Sequence, residues 1–537
     1  MNSRKDYTGY ASLIAILVIV FLAAASRIPG TKIGEVKLKK INILSDLIED
    51  DAPSDLEGDL YFDTTFLAEA DAIEADMASH TPVSHTEAET PTTKRTESGT
   101  VQEASNHAGS NEASRVAEQT VQEVVQAVGT ERPRAEIPYL EDFGDSCSAM
   151  QPFYDAVLSD TLHRKPLRIA VLGDSFIEGD IVTADLREKL QESYGGSGVG
   201  FVPFSSPIAQ FRGTIRHVFE GWQTLDVKNA RSVAEDLKDK FFVSGYLCIP
   251  DEGASVRYEG VSFRKHLWSV PECRLIFMNR GQTCIQVTIN DTIQQEYRPE
   301  SSEEIQQIRI KQRSIHSIEC RFTGTEGFIG YGIVFGGPNG ARVDNYSIRG
   351  NSGLALFATN GRVNSTLGAM FDYDLIVLEY GLNVLTADVL HYDSYRKAFV
   401  RVINYMKRCF PDAAVLVMGI CDRSMQNNGV FETMPSVDGM IAAQRAAAEE
   451  TGVAFWNTFE AMGGRNSMAA FVEKNWAAKD YTHISYAGGK FVAGKLLESL
   501  MQGVEAERQF RQEEAERLEQ QKMESYTPGF DSVLMAE

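Results

Sequence analysis

The stretch Leu167-Arg168-Ile169-Ala170-Val171-Leu172-Gly173-Asp174-Ser175 decides how the ordered part of this chain is read. A nearly unbroken apolar run that closes on glycine is the mark of a short strand buried on both faces, as in a parallel sheet. A helix signal follows, in which Thr183 caps a segment carrying Leu186 and Leu190 that stops at Gly195-Gly196. Active sites of α/β folds gather at the carboxyl ends of parallel strands, where loops diverge and helix N-termini point inward. Ser175 stands at such an end and is a candidate nucleophile.

The same texture returns late in the chain. Leu375–Leu378 and Ala414–Met418 are buried-strand runs, separated by a helical stretch from about Tyr392 to Cys409 with Val400, Ile403 and Met406 on compatible faces. A helix over Val437–Thr451 precedes the strand Val453–Trp456, and Ser485 opens a last helix that runs to about Leu500. Alternating strands and helices predict a three-layer α/β/α domain with a parallel sheet covered on both faces. Between the two parts the pattern changes to short β-rich runs, Cys284–Ile289, Gln307–Ile310 and Phe328–Phe335, with a short helix near Val233–Lys240. This reads as an inserted β-sandwich. The expected organisation is a first part at 138–213, the insertion at 214–344, a second part at 345–502 and a charged tail at 503–537. Within that tail, Glu505–Glu524 reads as a solvated helix.

Ahead of the ordered region, Ala11–Ala25 is apolar, with Arg4 and Lys5 before it and Arg27 after it. Two readings stay open. Ala23-Ala24-Ala25 suits a signal-cleavage site, whereas an apolar segment at 10–26 makes a membrane anchor close to the length of about 20 residues that spanning requires. The long spacer that follows favours the anchor. The basic residues keep 1–9 in the cytoplasm and put the remainder in the periplasm or outside. Segment 27–137 is a juxtamembrane stretch and flexible spacer: from His80 to Glu136 there is no Phe, Trp, Tyr, Leu or Ile, too little apolar surface to offset ordering entropy.

The chain carries 52 basic and 75 acidic residues, a net charge of −23. Nucleic-acid binding needs a basic footprint, so nucleic acid is excluded as a partner. Seven cysteines stand at Cys147, Cys248, Cys273, Cys284, Cys320, Cys409 and Cys421. None forms a zinc-type cluster. The four between 248 and 320 suit one or two disulfides in an exported domain, while Cys409 and Cys421 read equally well as small core residues. Glu178 and Asp180 lack further ligands at metal-binding spacing and read as structural.

The second chemical signal is Asp480-Tyr481-Thr482-His483, directly before the last helix. A serine nucleophile needs a base to take its proton, and a carboxylate to hold the imidazole in the right tautomer. The three-residue spacing lets Asp480 and His483 converge on one loop. Alone, such a pair is common and usually structural.

Taken together, Gly173-Asp174-Ser175 early and Asp480-x-x-His483 late resemble the SGNH (GDSL-type) hydrolase superfamily. Its second block is matched by Arg349-Gly350-Asn351-Ser352-Gly353, with Gly353 the better fit, and its third by Tyr380-Gly381-Leu382-Asn383. Val384 stands where the family often has Asp. The resemblance covers about 140–213 and 345–502 and implies a flavodoxin-like fold for that domain. It implies a Ser175–His483–Asp480 triad, an oxyanion hole from Ser175, Gly353 and Asn383, and no metal or organic cofactor. The extended first block and the glycine-rich Gly195–Pro203 are similar to exported peptidoglycan O-acetylesterases, which also carry a carbohydrate-module-like β-domain after the first block. Many of those relatives have His where this chain has Phe176.

The resemblance implies an exported serine esterase that removes O-acetyl groups from a cell-envelope glycan, with peptidoglycan as the expected substrate and the membrane as a partner. Three alternatives remain: an O-acetyltransferase using the same triad, a lipase or thioesterase, and a non-catalytic glycan-binding scaffold. In the insertion, Trp222, Trp268 and Tyr258 suit either sugar stacking or core packing. Trp476 and Tyr481 lie near the triad in sequence and suit an acyl pocket.

Overall fold

A computed structural model describes residues 136–159 and 166–525, together with the backbone of a short strand pair, Lys32–Ile33 with Val36–Lys37. That pair lies in one compact unit, Met1–Asp63, and the other described elements lie in a second, Thr64–Glu537. The N-terminal segment 1–9, the apolar segment 10–26 and most of the spacer 27–137 fall outside the described residues. Among the described residues no helix is long and apolar enough to cross a membrane.

In chain order, β1 (Leu140–Asp142) and α1 (Gln151–Leu158) precede β2 (Pro166–Gly173) and α2 (Thr183–Tyr194). The next run supplies β3 (Gly200–Val202), β4 (Arg216–Asp226), α3 (Glu235–Lys238), β5 (Tyr246–Glu259), β6 (Val270–Asn279) and β7 (Cys284–Ile289). It continues through β8 (Ile293–Tyr297), β9 (Ser302–Ile315), β10 (Ser317–Thr323) and β11 (Phe328–Gly336). The chain then gives β12 (Gly340–Ser347), α4 (Gly361–Phe371), β13 (Leu375–Glu379), α5 (Asp393–Cys409) and β14 (Ala414–Met418). Last come β15 (Ser424–Asn427), β16 (Val430–Thr433), α6 (Val437–Thr451), β17 (Ala454–Trp456), α7 (Thr458–Met462), α8 (Ser467–Glu473) and α9 (Tyr486–Ser525).

Six strands form the α/β sheet in the order β12-β2-β13-β14-β17-β1, parallel except for β1. Leaving aside the antiparallel edge, the parallel strands run 2-1-3-4-5, the flavodoxin-like order. Ile169, Leu375, Ile376, Val377, Leu378, Leu416 and Val417 are fully buried, because helices cover both faces. One set, α1, α2 and α9, packs together, as does the other, α4, α5 and α6. Each such side chain contributes about 1.5–3 kcal/mol by leaving water. Where the order reverses, β2 lies between β12 and β13, so the loops after all three strands open on one crevice.

The inserted run forms an antiparallel sheet in the order β8-β7-β10-β5-β11-β6-β9, with β4 on β5 and β3 on β11. Residues from opposite ends of this sheet, among them Ile285, Val287, Ile310 and Leu275, share one buried core with Phe322 and Phe328. The sheet therefore folds over on itself.

Several expectations are corrected. Gly340–Ser347 was expected mostly within the insertion, but it pairs in parallel with β2 from Gly340↔Pro166 to Ser347↔Gly173. The return to the α/β sheet thus falls near residue 339, not after 344. Its polar residues disguise it: β12 is wholly buried, and Asp344 accepts from Phe201 N (2.8 Å) and Tyr373 Oη (2.6 Å). Conversely Gly200–Val202, expected in the first part, pairs with β11. The last helix does not stop near Leu500 but continues to Ser525. Its extension is not simply solvated: Glu507 is buried and accepts from Gln151 on α1, and Arg511 pairs with Asp155. Thr183 is the first residue of α2 rather than its cap, and its hydroxyl donates to Asp180 at 2.6 Å. No disulfide joins any of the seven cysteines. Cys248, Cys273, Cys284 and Cys320 are buried in the insertion as small apolar groups, and burial pushes the Cys320 thiol far above its ordinary range.

Candidate active site

The crevice is built from four loops. The first is the turn after β2. Gly173 is required there, because a Cβ would lie 2.8 Å from both the backbone oxygen and Oε2 of Glu379. Asp174 is completely buried beneath the turn. It accepts from Phe176 N at 2.9 Å and from Asn383 Nδ2 at 2.7 Å, while its own N–H faces Glu379 Oε2 at 3.4 Å. Ser175 projects from this tied-down backbone with partial exposure.

The fourth loop carries His483, the expected base. Ala477 and Ile484 form an isolated bridge, the Ala478 N–H donates to His483 O at 2.8 Å, and Ser485 N donates to Trp476 O at 2.8 Å. The chain between them is thereby pinched into a tight turn with Asp480 and His483 at its tip. His483 Nε2 lies 3.0 Å from Ser175 Oγ, and His483 Nδ1 lies 2.8 Å from Asp480 Oδ2. Burial pulls the Asp480 carboxyl upward, but hydrogen bonds from the His483 backbone and ring and from the Thr482 N–H outweigh it and hold it below the usual carboxylate range. Asp480 therefore stays charged at neutral pH, as an imidazole-orienting group must. The side chains of His483 and Asp480 are 47% and 50% exposed, so the pair faces solvent.

The second and third loops carry the other expected residues. Gly353 follows β12 with φ +94°, and a Cβ there would meet the Tyr380 ring at 3.0 Å. Gly381, at φ +117°, would press on Gln444 and Ile420 at 2.9 Å. Both positions need glycine. The Gly353 N–H donates to Asn351 Oδ1 at 2.9 Å. Asn383 Nδ2 donates to Asp174 Oδ2 and, at 3.2 Å, to Asn351 O. The crevice thus brings together Ser175, His483, Asp480, Gly353 and Asn383. Of the three expected oxyanion donors, only the Ser175 N–H makes no hydrogen bond among the described residues. The other two hold protein acceptors that an oxyanion would have to displace or share, and a charged oxygen is the stronger acceptor.

Sequence reasoning missed three groups. Glu379 closes β13 and is fully buried against Asp174. Burial, and then the Asp174 charge, push the Glu379 carboxyl well above its ordinary value. Burial likewise raises Asp174, to about 6. The pair therefore retains a proton near neutrality. Asn351, also buried, links the second and third loops. Phe431, on the β15–β16 hairpin, stacks on Tyr481 with ring centroids 3.6 Å apart and planes 7° apart, and Ser424 N donates to Tyr481 O.

Other candidates resolve into structure. Arg187, Arg212, Thr183 and Thr214 surround the buried Asp180. Burial alone would raise its carboxyl, but the two guanidiniums hold it well below the usual range. Glu178 is taken by Arg349. Trp222 stacks on Phe204 at 5.3 Å and Tyr258 is buried, both in the insertion's core, whereas Trp268 remains 58% exposed. Trp476 packs on Phe471 and Phe491 behind the His483 turn.

The architecture matches a solved peptidoglycan O-acetylesterase structure with a TM-score of 0.53 and 21% identity, covering 68% of this chain and 99% of that one. This chain shares the fold of that structure. A GDSL-like lipase from Parabacteroides merdae (18% identity, TM-score 0.24) and an acetylxylan esterase from Geobacillus stearothermophilus (21%, 0.23) each cover 30% of this chain and 72% of their own. At those scores they carry no argument about this chain. No family model matches the chain, and neither does any curated protein sequence.

Proposed function

We propose that this protein is a serine esterase that removes O-acetyl groups from a cell-envelope glycan, with peptidoglycan as substrate. The observation that carries this reading is the hydrogen-bonded line Ser175 Oγ–His483 Nε2 (3.0 Å) and His483 Nδ1–Asp480 Oδ2 (2.8 Å) at the carboxyl ends of parallel strands. His483 takes the Ser175 proton as Oγ attacks the acetyl carbonyl. Asp480 stabilises the imidazolium, and the tetrahedral oxygen is held by the Ser175 N–H, aided by Gly353 N–H and Asn383 Nδ2. His483 then protonates the departing sugar oxygen, and water, activated by the same imidazole, releases acetate from the acyl-serine.

The half-exposed triad favours hydrolysis over acetyl transfer, because transfer requires water to be kept from the acyl-enzyme. It also suits a substrate group displayed on a polymer. The choice of peptidoglycan is supported by the resemblance of the first block and by the substrate of the matching structure. Location outside the cytoplasmic membrane, through an anchor or after signal cleavage, is supported by the apolar run Ala11–Ala25 alone.

The test is acetate release by the full chain from O-acetylated peptidoglycan, acetylated xylan and p-nitrophenyl acetate, alongside Ser175→Ala. Release from peptidoglycan is expected to be fastest, and Ser175→Ala to lose about 10³-fold or more. Equal rates for the two proteins would remove the triad assignment. Net acetylation of an added glycan in place of acetate release would establish the transferase instead.

A further inference from the structure

At the opposite, amino end of β2 and β12 lies a cavity of about 260 Å³ between the α/β sheet and the insertion. Its lining carries Arg168, Arg274, Arg309, Lys311 and Arg342 against a single carboxylate, Glu272. That is a concentrated positive site in a chain of net charge −23.

The register makes the concentration costly. Arg342 stands directly beside Arg168 on the parallel pair β12–β2, and Arg309 directly opposite Arg274 on the antiparallel pair β9–β6. Like charges in such positions repel. Partners offset some of the charge: Arg168 meets Asp372 at 2.6 Å, Arg342 meets Asp344 at 3.2 Å, and Lys311 meets Glu272 at 3.5 Å. Arg342 and Arg274 also donate to the last carbonyls around α4, Phe371 O at 3.1 Å and Met370 O at 3.4 Å. Neither Arg274 nor Arg309 has a carboxylate within 4 Å among the described residues. Arg274 is only 8% exposed. Burial, and then the neighbouring Arg342 charge, lower it to about 10, against the opposing pull of Asp344 and Glu272.

We propose that this cleft is an anion site that binds a phosphoryl group through Arg274 and Arg309, with Arg168 and Arg342 behind them. Two guanidiniums without a carboxylate partner match a phosphate monoester, whose charge at neutral pH is close to −2, better than a single carboxylate. The planar guanidinium fork suits its oxygens. The site lies roughly 20 Å along β2 from Ser175 at the strand rise per residue, so it holds a ligand apart from the crevice. It would dock the enzyme on a phosphorylated envelope component or on free phosphate.

The experiment is calorimetric titration of the full chain with inorganic phosphate at constant ionic strength, with chloride as control, plus sedimentation with phosphatidylcholine vesicles with and without phosphatidic acid. Saturable phosphate binding is expected, tighter at pH 8 than at pH 5.5 as the dianion forms, and weakened about tenfold or more in Arg309→Gln and Arg274→Gln. Arg309 is exposed, so its variant keeps the fold, and its esterase rate should equal wild type. Vesicle binding that free phosphate abolishes would assign the group to a lipid headgroup; phosphate binding without vesicle binding would assign it to a soluble or polymer phosphate. Phosphate heats indistinguishable from chloride, or unchanged affinity in Arg309→Gln, would overturn the proposal.

Discussion

The turn bearing Ser175 and the turn bearing His483 meet at one hydrogen bond but are built in opposite ways. The first is anchored from below. Asp174 and Glu379 are fully buried, and their contacts tie the ends of β2 and β13 to the Asn383 loop. The second is held by its own short backbone bonds and, from the β15–β16 hairpin, by one stacked ring and the Ser424 N–H, with the His483 and Asp480 side chains about half exposed. Ser175 is therefore positioned by a buried polar network, and His483 by a local surface turn. Substitutions under Ser175 should alter stability and its pH dependence, whereas substitutions around His483 should alter rate and leave stability nearly untouched.

The largest effect tests the base itself. His483→Ala should reduce acetate release by about 10⁴-fold or more, and Asp480→Asn by a comparable or smaller factor. Neither should shift Tm by more than about 1 °C, since exposed sites away from buried features lie within about ±0.5 kcal/mol. A large loss of Tm in either would show that the surface turn is part of the core after all.

Next is Asn383→Ala, which acts on both sides of the comparison. Loss of one oxyanion donor should lower the rate by about 10²–10³-fold. Because Asn383 also donates to buried Asp174, the same variant should be destabilised by about 1–3 kcal/mol in denaturant unfolding. Loss of rate with full stability would detach Asn383 from the buried network.

The buried acids give the pH test. Both carboxyls titrate higher in the folded protein than in an unfolded chain, so the folded state binds the extra protons. Their stabilising contribution is present below the ordinary carboxylate value of about 4 and is lost as pH rises through about 6, the Asp174 value, and beyond. Glu379→Gln keeps a donor and an acceptor in the same shape without a titrating proton. It should raise Tm relative to wild type at pH 8, on the order of 2–4 °C, and give no gain at pH 4.5. An equal shift at both pH values would mean that no proton is shared at neutrality.

Legibility in the sequence follows the same division between apolar and polar construction. Leu167–Gly173, Leu375–Leu378 and Ala414–Met418 were readable because buried parallel strands are apolar on both faces. Ser175, Asp480 and His483 were singled out from their local spacing, and Gly353 and Gly381 from the resemblance of their blocks; the structure brings all five to one crevice. β12 was not, since Arg342, Asp344 and Asn345 give it a surface-like sequence. Its polar groups are satisfied by Phe201 N, Tyr373 Oη and Ile177 O, far away along the chain. Glu379 was hidden for the same reason, its partner lying 205 residues earlier. The β15–β16 hairpin was the exception, because Asn428-Gly429 is a strong two-residue turn signal that was there to be read.

That hairpin supplies the smallest prediction and the finest one. Phe431 stacks on Tyr481, whose φ of +54° is a backbone state that a tyrosine seldom holds without support. Aromatic stacking contributes about 0.5–1.5 kcal/mol beyond buried area. If that energy keeps the Asp480–His483 turn in its productive form, Phe431→Ala should slow acetate release by roughly 2–12-fold, and Phe431→Tyr should restore it. The rate should fall through kcat with little change in KM, because the ring orders the base rather than the substrate. Tm should move by about 1 °C or less, since the hairpin lies outside the main sheet. A fall in Tm as large as that of a core truncation would show that the His483 turn, despite its exposure, unfolds with the sheet beneath Ser175.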